Sequence, residues 1–333
     1  MLMDLMFIKA CKNGQRGIVD TYLKNKTIDV NYIDDGGYTA LHYACMNGSR
    51  DIVKMLVENG ADVTIYNNSG LTPLHNAVKT GSKDIIKILV DNGADINATD
   101  NKGESVIIHA VKAGKNDTVK YLKELGADIE LKDNLGRNVM DYASEMGMTS
   151  IINDFKDTIE YNTDSYGNTA LHHACYNGHG EAVKTILESS DIDVNVTNDA
   201  GETPLYIAVR ENNHYIAELL IKFGADVNIK TFNGENLIHV AARMRKYNMV
   251  NTLIKNGADV NVRNKIGETP LLCAIKSTDS QRPSIDIVEL LLDYNAEVNC
   301  KDMFGKTPLY YATNHKNSAI IRKLFEKGAE EWV

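Results

Sequence analysis

The sequence of 333 residues is poor in cysteine and proline, has no excess of basic residues and lacks any long apolar segment. Its five cysteines are an odd number, and Cys11, Cys45 and Cys175 each follow an alanine in similar local sequences. A recurring small residue of this kind is typical of a buried core position rather than of a disulfide framework. We therefore predict free thiols and a reducing compartment.

The charge balance argues against a general nucleic-acid binder. The chain has 36 basic and 45 acidic residues and a net charge of −9, whereas nucleic-acid binding requires a basic stripe. No apolar run approaches the ~18 residues that span a membrane. Asp4 and Lys9 interrupt the apolar start, so it does not read as a secretory signal. We predict no nucleic-acid or membrane partner, and a cytoplasmic location or delivery into a host cell without a classical signal peptide.

Motifs of catalysis and metal binding are also missing. The sequence contains no GxxxxGK[ST], no GxGxxG after a strand and no GxSxG. His172 and His173 precede Cys175, but neighbouring helix positions do not face one another and no second pair at zinc spacing follows. Residues 95–100 lack the glycine that a calcium loop needs at its sixth position. We predict a non-enzyme without catalytic residues, cofactor or metal.

One unit dominates the sequence, and residues 67–97 show it most clearly: NNSGLTPLHNAVKTGSKDIIKILVDNGADIN. Its Asn-Asn-Ser-Gly start predicts a tight turn. Thr72 is placed to cap a helix that begins at Pro73, and Gly81 is placed to end it. A second amphipathic helix is predicted to open at Asp84 and to stop at the Asn-Gly pair near the end.

The turn glycine of this unit recurs along the chain, at intervals of 33, 33, 33, 31, 34, 33, 33 and 38 residues. Its positions are Gly37, Gly70, Gly103, Gly136, Gly167, Gly201, Gly234, Gly267 and Gly305. Tetrads of the Thr-Pro-Leu-His type begin at Thr39, Thr72, Thr169, Thr203, Thr269 and Thr307. This period and pattern resemble the ankyrin-repeat family over nearly the whole chain. The resemblance implies an all-α solenoid of about ten repeats, each a pair of antiparallel helices, joined by short β-hairpin-like turns.

Irregular repeats suggest how the array is divided. In the fourth unit Asn138-Val139-Met140-Asp141 replaces the tetrad, and no Gly-Ala-Asp loop follows Phe155. We expect a local irregularity or bend there. It separates residues 1–163, a degenerate cap repeat plus four repeats of which the last is irregular, from residues 164–333, five repeats of which the last is a cap.

Two further local features are predicted. Asp4 is placed to cap the first helix of the degenerate first repeat. Residues 277–284 form an insertion of about five residues relative to the repeat, which we expect to protrude between the paired helices at the end opposite the turns.

The histidines show a repeated position. His42, His75, His172 and His239 all occupy the fourth position of a tetrad or its equivalent. We predict that each hydrogen-bonds the tetrad threonine, where one is present, and the turn backbone, which is a structural role. In the third repeat the histidine, His109, is displaced by one position.

The resemblance implies non-catalytic protein–protein recognition on a concave groove lined by the turn tips and the first helix of each repeat. We call this the groove face. Carried over position by position, its candidate partner-binding residues are Tyr38, Met46, Leu71, Tyr166, Tyr176, Arg210, Phe232, Arg243, Met244, Ile266 and Phe304. The Tyr, Phe, Met and Arg residues among them are of types enriched at protein interfaces, although scattered exposed apolar residues are also normal on protein surfaces. The strongest group spans three consecutive repeats: Tyr166, Tyr176, Arg210, Phe232, Arg243 and Met244.

The partner itself stays open at this point. A monomeric adaptor or scaffold that binds another protein is one hypothesis. The alternatives are a pathogen or symbiont effector that engages a host protein, and an inhibitor or regulatory subunit of an enzyme.

Overall fold

The computed structural model describes residues 2–26, 28–158, 162–189, 192–232, 234–276 and 285–331. Within these residues the chain forms 20 helices in ten consecutive pairs, which confirms the predicted all-α repeat architecture. The bounds are α1 (Leu2–Lys12), α2 (Arg16–Asn25), α3 (Ala40–Met46), α4 (Arg50–Glu58), α5 (Pro73–Thr80), α6 (Lys83–Asp91), α7 (Val106–Lys112), α8 (Asn116–Glu124), α9 (Val139–Glu145), α10 (Thr149–Phe155), α11 (Ala170–Tyr176), α12 (Gly180–Leu187), α13 (Pro204–Arg210), α14 (His214–Lys222), α15 (Leu237–Arg243), α16 (Tyr247–Lys255), α17 (Pro270–Lys276), α18 (Ile285–Asp293), α19 (Pro308–Asn314) and α20 (Ser318–Glu326).

The tetrad histidines lie in the first turn of the first helices, where they take part in capping, and three of the four hydrogen-bond to the neighbouring repeat. The backbone N–H of Thr39 donates to Nδ1 of His42 at 3.1 Å, and the Thr39 hydroxyl lies 2.9 Å from the same nitrogen. Since Nδ1 accepts, Nε2 carries the proton and donates to the Leu71 carbonyl oxygen of the next turn at 3.0 Å. His172 and His239 make equivalent bonds, which confirms the predicted structural role for these three histidines. His75 makes the same contacts with Thr72 through Nδ1, but no hydrogen bond of its buried Nε2 is found among the described residues.

Apolar side chains of both helices form the core of each repeat. In α5 and α6, Leu74, Val78, Ile85, Ile86 and Leu89 are fully buried. Within each of the two compact units described below, each first helix also packs on the first helix of the following repeat, so one repeat buries apolar surface against the next. This stacking supplies burial that a single unit of about 33 residues cannot supply alone.

All five cysteines are free and buried. Cys11, Cys45 and Cys175 lie at the ends of first helices with no exposed surface. The prediction of small core residues without disulfides is confirmed.

The chain divides into two compact units, Met1–Ser165 and Tyr166–Val333. Unit 1 contains α1 to α10, and unit 2 contains α11 to α20. The predicted division of the array between residues 163 and 164 stays a prediction.

Two predicted helix starts are wrong in detail. Asp4 does not cap α1, because α1 already begins at Leu2 and Asp4 lies inside its first turn. There its buried carboxylate accepts a hydrogen bond from the backbone N–H of Asp29 at 3.0 Å. The cap of α6 is Ser82 rather than Asp84, because the Ser82 hydroxyl accepts from the N–H of Ile85.

The degenerate fourth repeat keeps a regular first helix. The Asn138 side chain accepts from the N–H of Asp141, and the Asp141 carboxylate accepts from the N–H of Asn138 at 2.9 Å. This exchange reproduces the bonds that threonine and histidine make elsewhere. The following helix, α10, is only seven residues long. Residues 159–161 of the predicted irregular connection and the predicted insertion at 277–284 lie outside the described residues.

Among the helices described, none combines the length and the apolar character that a membrane span requires.

Candidate protein interface

The groove face is built on turns that a single side chain organises. In the last repeat, Oδ1 of Asp302 accepts hydrogen bonds from the N–H groups of Phe304 and Lys306, both at 3.0 Å. We call the two residues after this first turn residue the turn tip. The same bonding occurs at Asp34, Asn67, Asp100, Asp133, Asn198 and Asn264.

Large apolar residues occupy four of the five turn tips of unit 2, and the fifth tip consists of Asp199 and Ala200. The large apolar residues are between 42% and 68% exposed, and we call them the unit 2 tip row: Tyr166, Phe232, Ile266, Met303 and Phe304. Four of the five are among the residues predicted from the sequence. Met303 was missed, although Phe232 holds the same position in its own turn and could have pointed to it.

Unit 1 uses its turn tips differently. Nδ2 of Asn68 donates to the carbonyl oxygen of Asp35 at 2.9 Å. Asn101 donates to Asn68 at 3.0 Å, and Asn134 donates to Asn101 at 3.1 Å. These three asparagines form a unit 1 tip ladder that joins four successive turns. Leu135 is the large apolar residue that remains exposed at these four tips.

Unit 2 joins its repeats at the loops that follow the second helices. Asn228 donates to the Gly257 carbonyl oxygen at 2.9 Å and accepts from the Asp259 N–H at 3.1 Å. We call the four asparagines with this bonding the unit 2 loop ladder: Asn195, Asn228, Asn261 and Asn299.

Phe232 is both exposed and fixed in place. A methyl group added at Gly201 would lie 2.9 Å from carbon atoms of the Phe232 ring, so the ring packs directly against the preceding turn. Its other side remains exposed. An aromatic side chain held in this way loses little freedom when a partner covers it.

The ends of the first helices add exposed residues to the groove face. Tyr176 at the end of α11 and Met244 just after α15 are both exposed. The guanidinium of Arg210 lies 5.9 Å from the centre of the Tyr176 ring, within the range of a cation–π contact. The structure therefore brings two of the predicted residues together.

The two predicted arginines already have acidic partners in the protein. Arg210 pairs with Glu202 and with Glu211, and Arg243 pairs with Glu235. Hydrogen bonding to Glu235 raises the pKa of the Arg243 side chain further above its ordinary value. A partner protein would meet arginines whose charge is already compensated.

The same spacing of eight residues recurs across both units. In unit 1 the Lys112 ammonium lies 2.7 Å from Glu104, and in unit 2 Lys276 lies 2.6 Å from Glu268. The pairing thus belongs to the repeat itself and is not specific to the predicted interface.

The three candidates in unit 1 are less uniform. Tyr38 is half-buried and stacks on Tyr43 with 5.3 Å between ring centres. Leu71 is half-buried, and its carbonyl oxygen accepts from His42. Met46 is exposed at the end of α3.

Side chains that could hold a metal also occur on the groove face of unit 1. Among the described residues, one group of three brings imidazole and carboxylate ligand atoms within 4.8 Å of one another, and it consists of Asp100, Glu104 and His109.

Comparison with protein-family models gives matches along almost the entire chain. The model described as ankyrin repeats (3 copies) matches overlapping stretches at residues 7–100, 74–155, 108–198, 139–231, 191–264 and 238–333.

Curated relatives match over short stretches. The chain is 43% identical over 60 residues to the BCL-6 corepressor of Homo sapiens, which is 18% of this chain and 3% of that protein. It is 44% identical over 54 residues to palmitoyltransferase akr1 of Schizosaccharomyces pombe, covering 16% and 8%. It is 36% identical over 63 residues to the human scaffold protein ILK, covering 19% and 14%. The matches thus span a small part of each relative.

Proposed function

Because the chain belongs to the ankyrin-repeat family, we propose that it binds another protein, without catalysis, through the groove face of unit 2. The proposed contact surface consists of the unit 2 tip row together with Tyr176 and Met244. Partner recognition through turn tips and first helices is what the family resemblance implies for these positions.

One observation carries this proposal: the exposed apolar side chains at the turn tips of unit 2. Exposed apolar groups that recur in neighbouring elements of a rigid scaffold are typical of binding surfaces. The equivalent tips of unit 1 carry asparagines that bond to one another. The contrast supports a binding role for unit 2 in particular.

The rigidity of the surface favours tight binding. Phe232 is packed on Gly201, and Asp302 holds the backbone of the tip that carries Met303 and Phe304. Little conformational entropy is lost when such side chains become covered.

Arg210 and Arg243 contribute chiefly to specificity in this proposal. Each is paired with a glutamate of its own repeat, so a partner's carboxylate gains less from either arginine than from an unpaired one. We expect the apolar tips to supply most of the binding energy.

We also propose a monomer in a reducing compartment such as the cytoplasm. Five buried, unpaired cysteines support that compartment.

The test is partner capture followed by affinity measurement. The wild-type chain, Phe232→Ala, Tyr176→Ala and the unit 1 control Leu135→Ala are used to capture proteins from the native source. The protein retained by wild type is then purified and titrated against each variant. We expect Phe232→Ala and Tyr176→Ala to weaken binding by about 1–3 kcal/mol with nearly unchanged thermal midpoints, and Leu135→Ala to bind like wild type.

Unchanged affinity in both unit 2 variants would place the interface elsewhere. The identity of the captured protein separates an adaptor role from engagement of a host target and from inhibition of an enzyme. Turnover by the purified chain that a single substitution abolishes would contradict the absence of catalysis.

A further inference from the structure

The third repeat of unit 1 has its histidine one position after the tetrad position, and this histidine faces acidic side chains. The tetrad histidine His42 bonds to backbone groups through both ring nitrogens. His109 lies one position later, and its Nε2 is 2.9 Å from Asp100 Oδ2 and 3.7 Å from Glu104 Oε2. The displacement therefore points an imidazole at two carboxylates.

These three side chains are sheltered and yet accessible from one side. Their exposed fractions are 9% for His109, 8% for Asp100 and 5% for Glu104. All three line an open cavity of about 530 Å³, to which Lys79 and Lys112 also contribute. A small ligand can therefore reach the three ligand atoms.

The separations suit a tetrahedral cation. Zinc binds imidazole nitrogen and carboxylate oxygen at about 2.0–2.2 Å, so tetrahedral ligand atoms lie roughly 3.3 Å apart. The two measured separations from Nε2, 2.9 and 3.7 Å, lie on either side of that value. All three ligand atoms lie within 4.8 Å of one another, so enclosing an ion requires side-chain rotation that brings the more distant oxygen closer.

We propose that Asp100, Glu104 and His109 form a Zn²⁺ site whose fourth coordination position opens into the cavity. One imidazole and two carboxylates favour zinc over calcium or magnesium, which prefer all-oxygen sites. Three protein ligands with an open position is the arrangement that leaves a metal accessible to a further ligand. The site lies in unit 1, so it is separate from the protein interface proposed for unit 2.

Protonation states at neutral pH are compatible with this role. Burial lowers the pKa of His109, so its imidazole is neutral. Its Nε2 proton is donated to Asp100 in the metal-free protein, so metal binding at Nε2 requires that proton to move to Nδ1. Burial alone would raise the pKa of Asp100, but hydrogen bonds from His109 and from the backbone N–H groups of Lys102 and Glu104 outweigh it and lower the pKa.

Lys112 occupies the position of a competing cation. Its ammonium lies 2.7 Å from both carboxylate oxygens of Glu104. Zinc has to displace this ammonium, since both cations require the same carboxylate. Removing the lysine charge should therefore tighten zinc binding, so the proposal predicts the direction in which the zinc affinity changes.

The chain supplies its own matched control for His109. In three other repeats a tyrosine holds the equivalent position and donates to the first turn residue, as Tyr43 does to Asp34 at 2.7 Å. Tyr142 and Tyr311 donate to Asp133 and Asp302 at 2.6 Å. His109→Tyr therefore keeps the hydrogen bond that the fold needs and removes the zinc ligand.

The experiment is a titration of the full chain, freed of metal with a chelator, with ZnCl₂ by calorimetry. Co²⁺ is titrated in parallel, and its visible absorption reports coordination. We expect one equivalent to bind to wild type, and His109→Tyr and Glu104→Gln each to weaken binding at least tenfold. Lys112→Met should bind about fivefold more tightly or better. His214→Gln, which removes an exposed surface histidine paired with Glu218, should bind like wild type.

Thermal melting of each metal-free variant checks that it is folded. The absence of saturable binding to wild type would overturn the site. Binding by His109→Tyr with wild-type affinity, or weaker binding by Lys112→Met, would do the same. Both Lys112→Met and His109→Tyr keep the proposal testable if Glu104→Gln fails to fold.

Discussion

In unit 1 a ladder of asparagines joins the turn tips, whereas in unit 2 a ladder of asparagines joins the loops after the second helices. Asn101 represents the first ladder and Asn228 the second. Unit 1 also has loop asparagines at Asn31 and Asn97, but Thr64 holds the equivalent position between them and bonds locally to Asp62.

The difference shows how one repeat can serve two purposes. A turn tip whose side chain bonds to its neighbour stabilises the stack, and that side chain is then unavailable to a partner. The loop bonding is continuous through Asn195, Asn228, Asn261 and Asn299 in unit 2, whereas in unit 1 it is interrupted at Thr64. The tips of unit 2 carry Phe232 and Phe304 instead of ladder asparagines. In the function proposed above, stability and recognition are therefore assigned to different ends of the same structural unit.

The largest loss of stability is expected for a substitution at a turn glycine that packs against the unit 1 tip ladder. Gly70 has a φ of +76°, and a methyl group there would lie 2.6 Å from the backbone nitrogen of Asn101. Gly305 has a similar φ of +71° with nothing within 4 Å of such a methyl group. Both alanine variants incur the left-handed cost of about 1–2 kcal/mol. We expect Gly70→Ala to lose about 4 kcal/mol in urea unfolding; equal losses at both sites would contradict the close packing of the unit 1 tips.

The second prediction concerns the pH dependence of stability that arises from Asp141 in the first turn of α9. Burial raises the pKa of Asp141 in unit 1 from its ordinary value of 3.8 to about 7. Between those values the folded chain binds more protons than the unfolded chain, so stability falls as pH rises through that window. Burial lowers the pKa of His42, which acts in the opposite direction.

The variant Asp141→Asn separates the contribution of Asp141 to the pH dependence of stability from that of His42. The asparagine can still accept from the Asn138 N–H, and it has no charge to bury. We expect the variant to gain on the order of 3 kcal/mol over wild type at pH 7.5 and little near pH 4. Urea midpoints across pH 4 to 8 measure the difference. Parallel curves for the two proteins would show that Asp141 is not a buried acid with a raised pKa.

A smaller loss of stability is expected when the unit 2 loop ladder is interrupted. Asn228→Ala removes two inter-repeat hydrogen bonds, each worth about 1 kcal/mol. We expect a loss of about 2 kcal/mol in unit 2. Thr64→Ala removes one local side-chain bond to Asp62 and should cost about 0.5 kcal/mol or less. A Thr64 variant as destabilised as the Asn228 variant would remove the distinction between the two units.

Much of the fold follows from short stretches of sequence. Thr72 caps the helix that begins at Pro73, as predicted, because capping depends on residues within one turn of helix. The cap at Asp4 was mispredicted since nothing local shows that the carboxylate is drawn to the backbone of Asp29. Local signals determine where helices occur more reliably than which group satisfies each terminus.

The candidate site was harder to predict because its side chains interact between repeats. Asn68 and Asn101 are 33 residues apart, so the tip ladder appears only when one position is compared across repeats. Glu202 and Arg210 are eight residues apart and form an ion pair. Because this spacing recurs between repeats, only a comparison of repeats shows that the arginine already has an acidic partner within the protein. The cluster of Asp100, Glu104 and His109 combines residues of a turn with a residue of the following helix, and their spacing forms no compact metal-binding motif.

The most direct test exchanges the chemistry of the two tip surfaces. Phe232→Asn with Met303→Asn gives unit 2 the asparagines of the unit 1 ladder, since Asn68 and Asn101 hold the same turn position. We expect the double variant to be at least as stable as wild type in urea unfolding. Its affinity for the captured partner should fall by at least about tenfold. A double variant that binds the partner as tightly as wild type would contradict the assignment of recognition to the unit 2 tips.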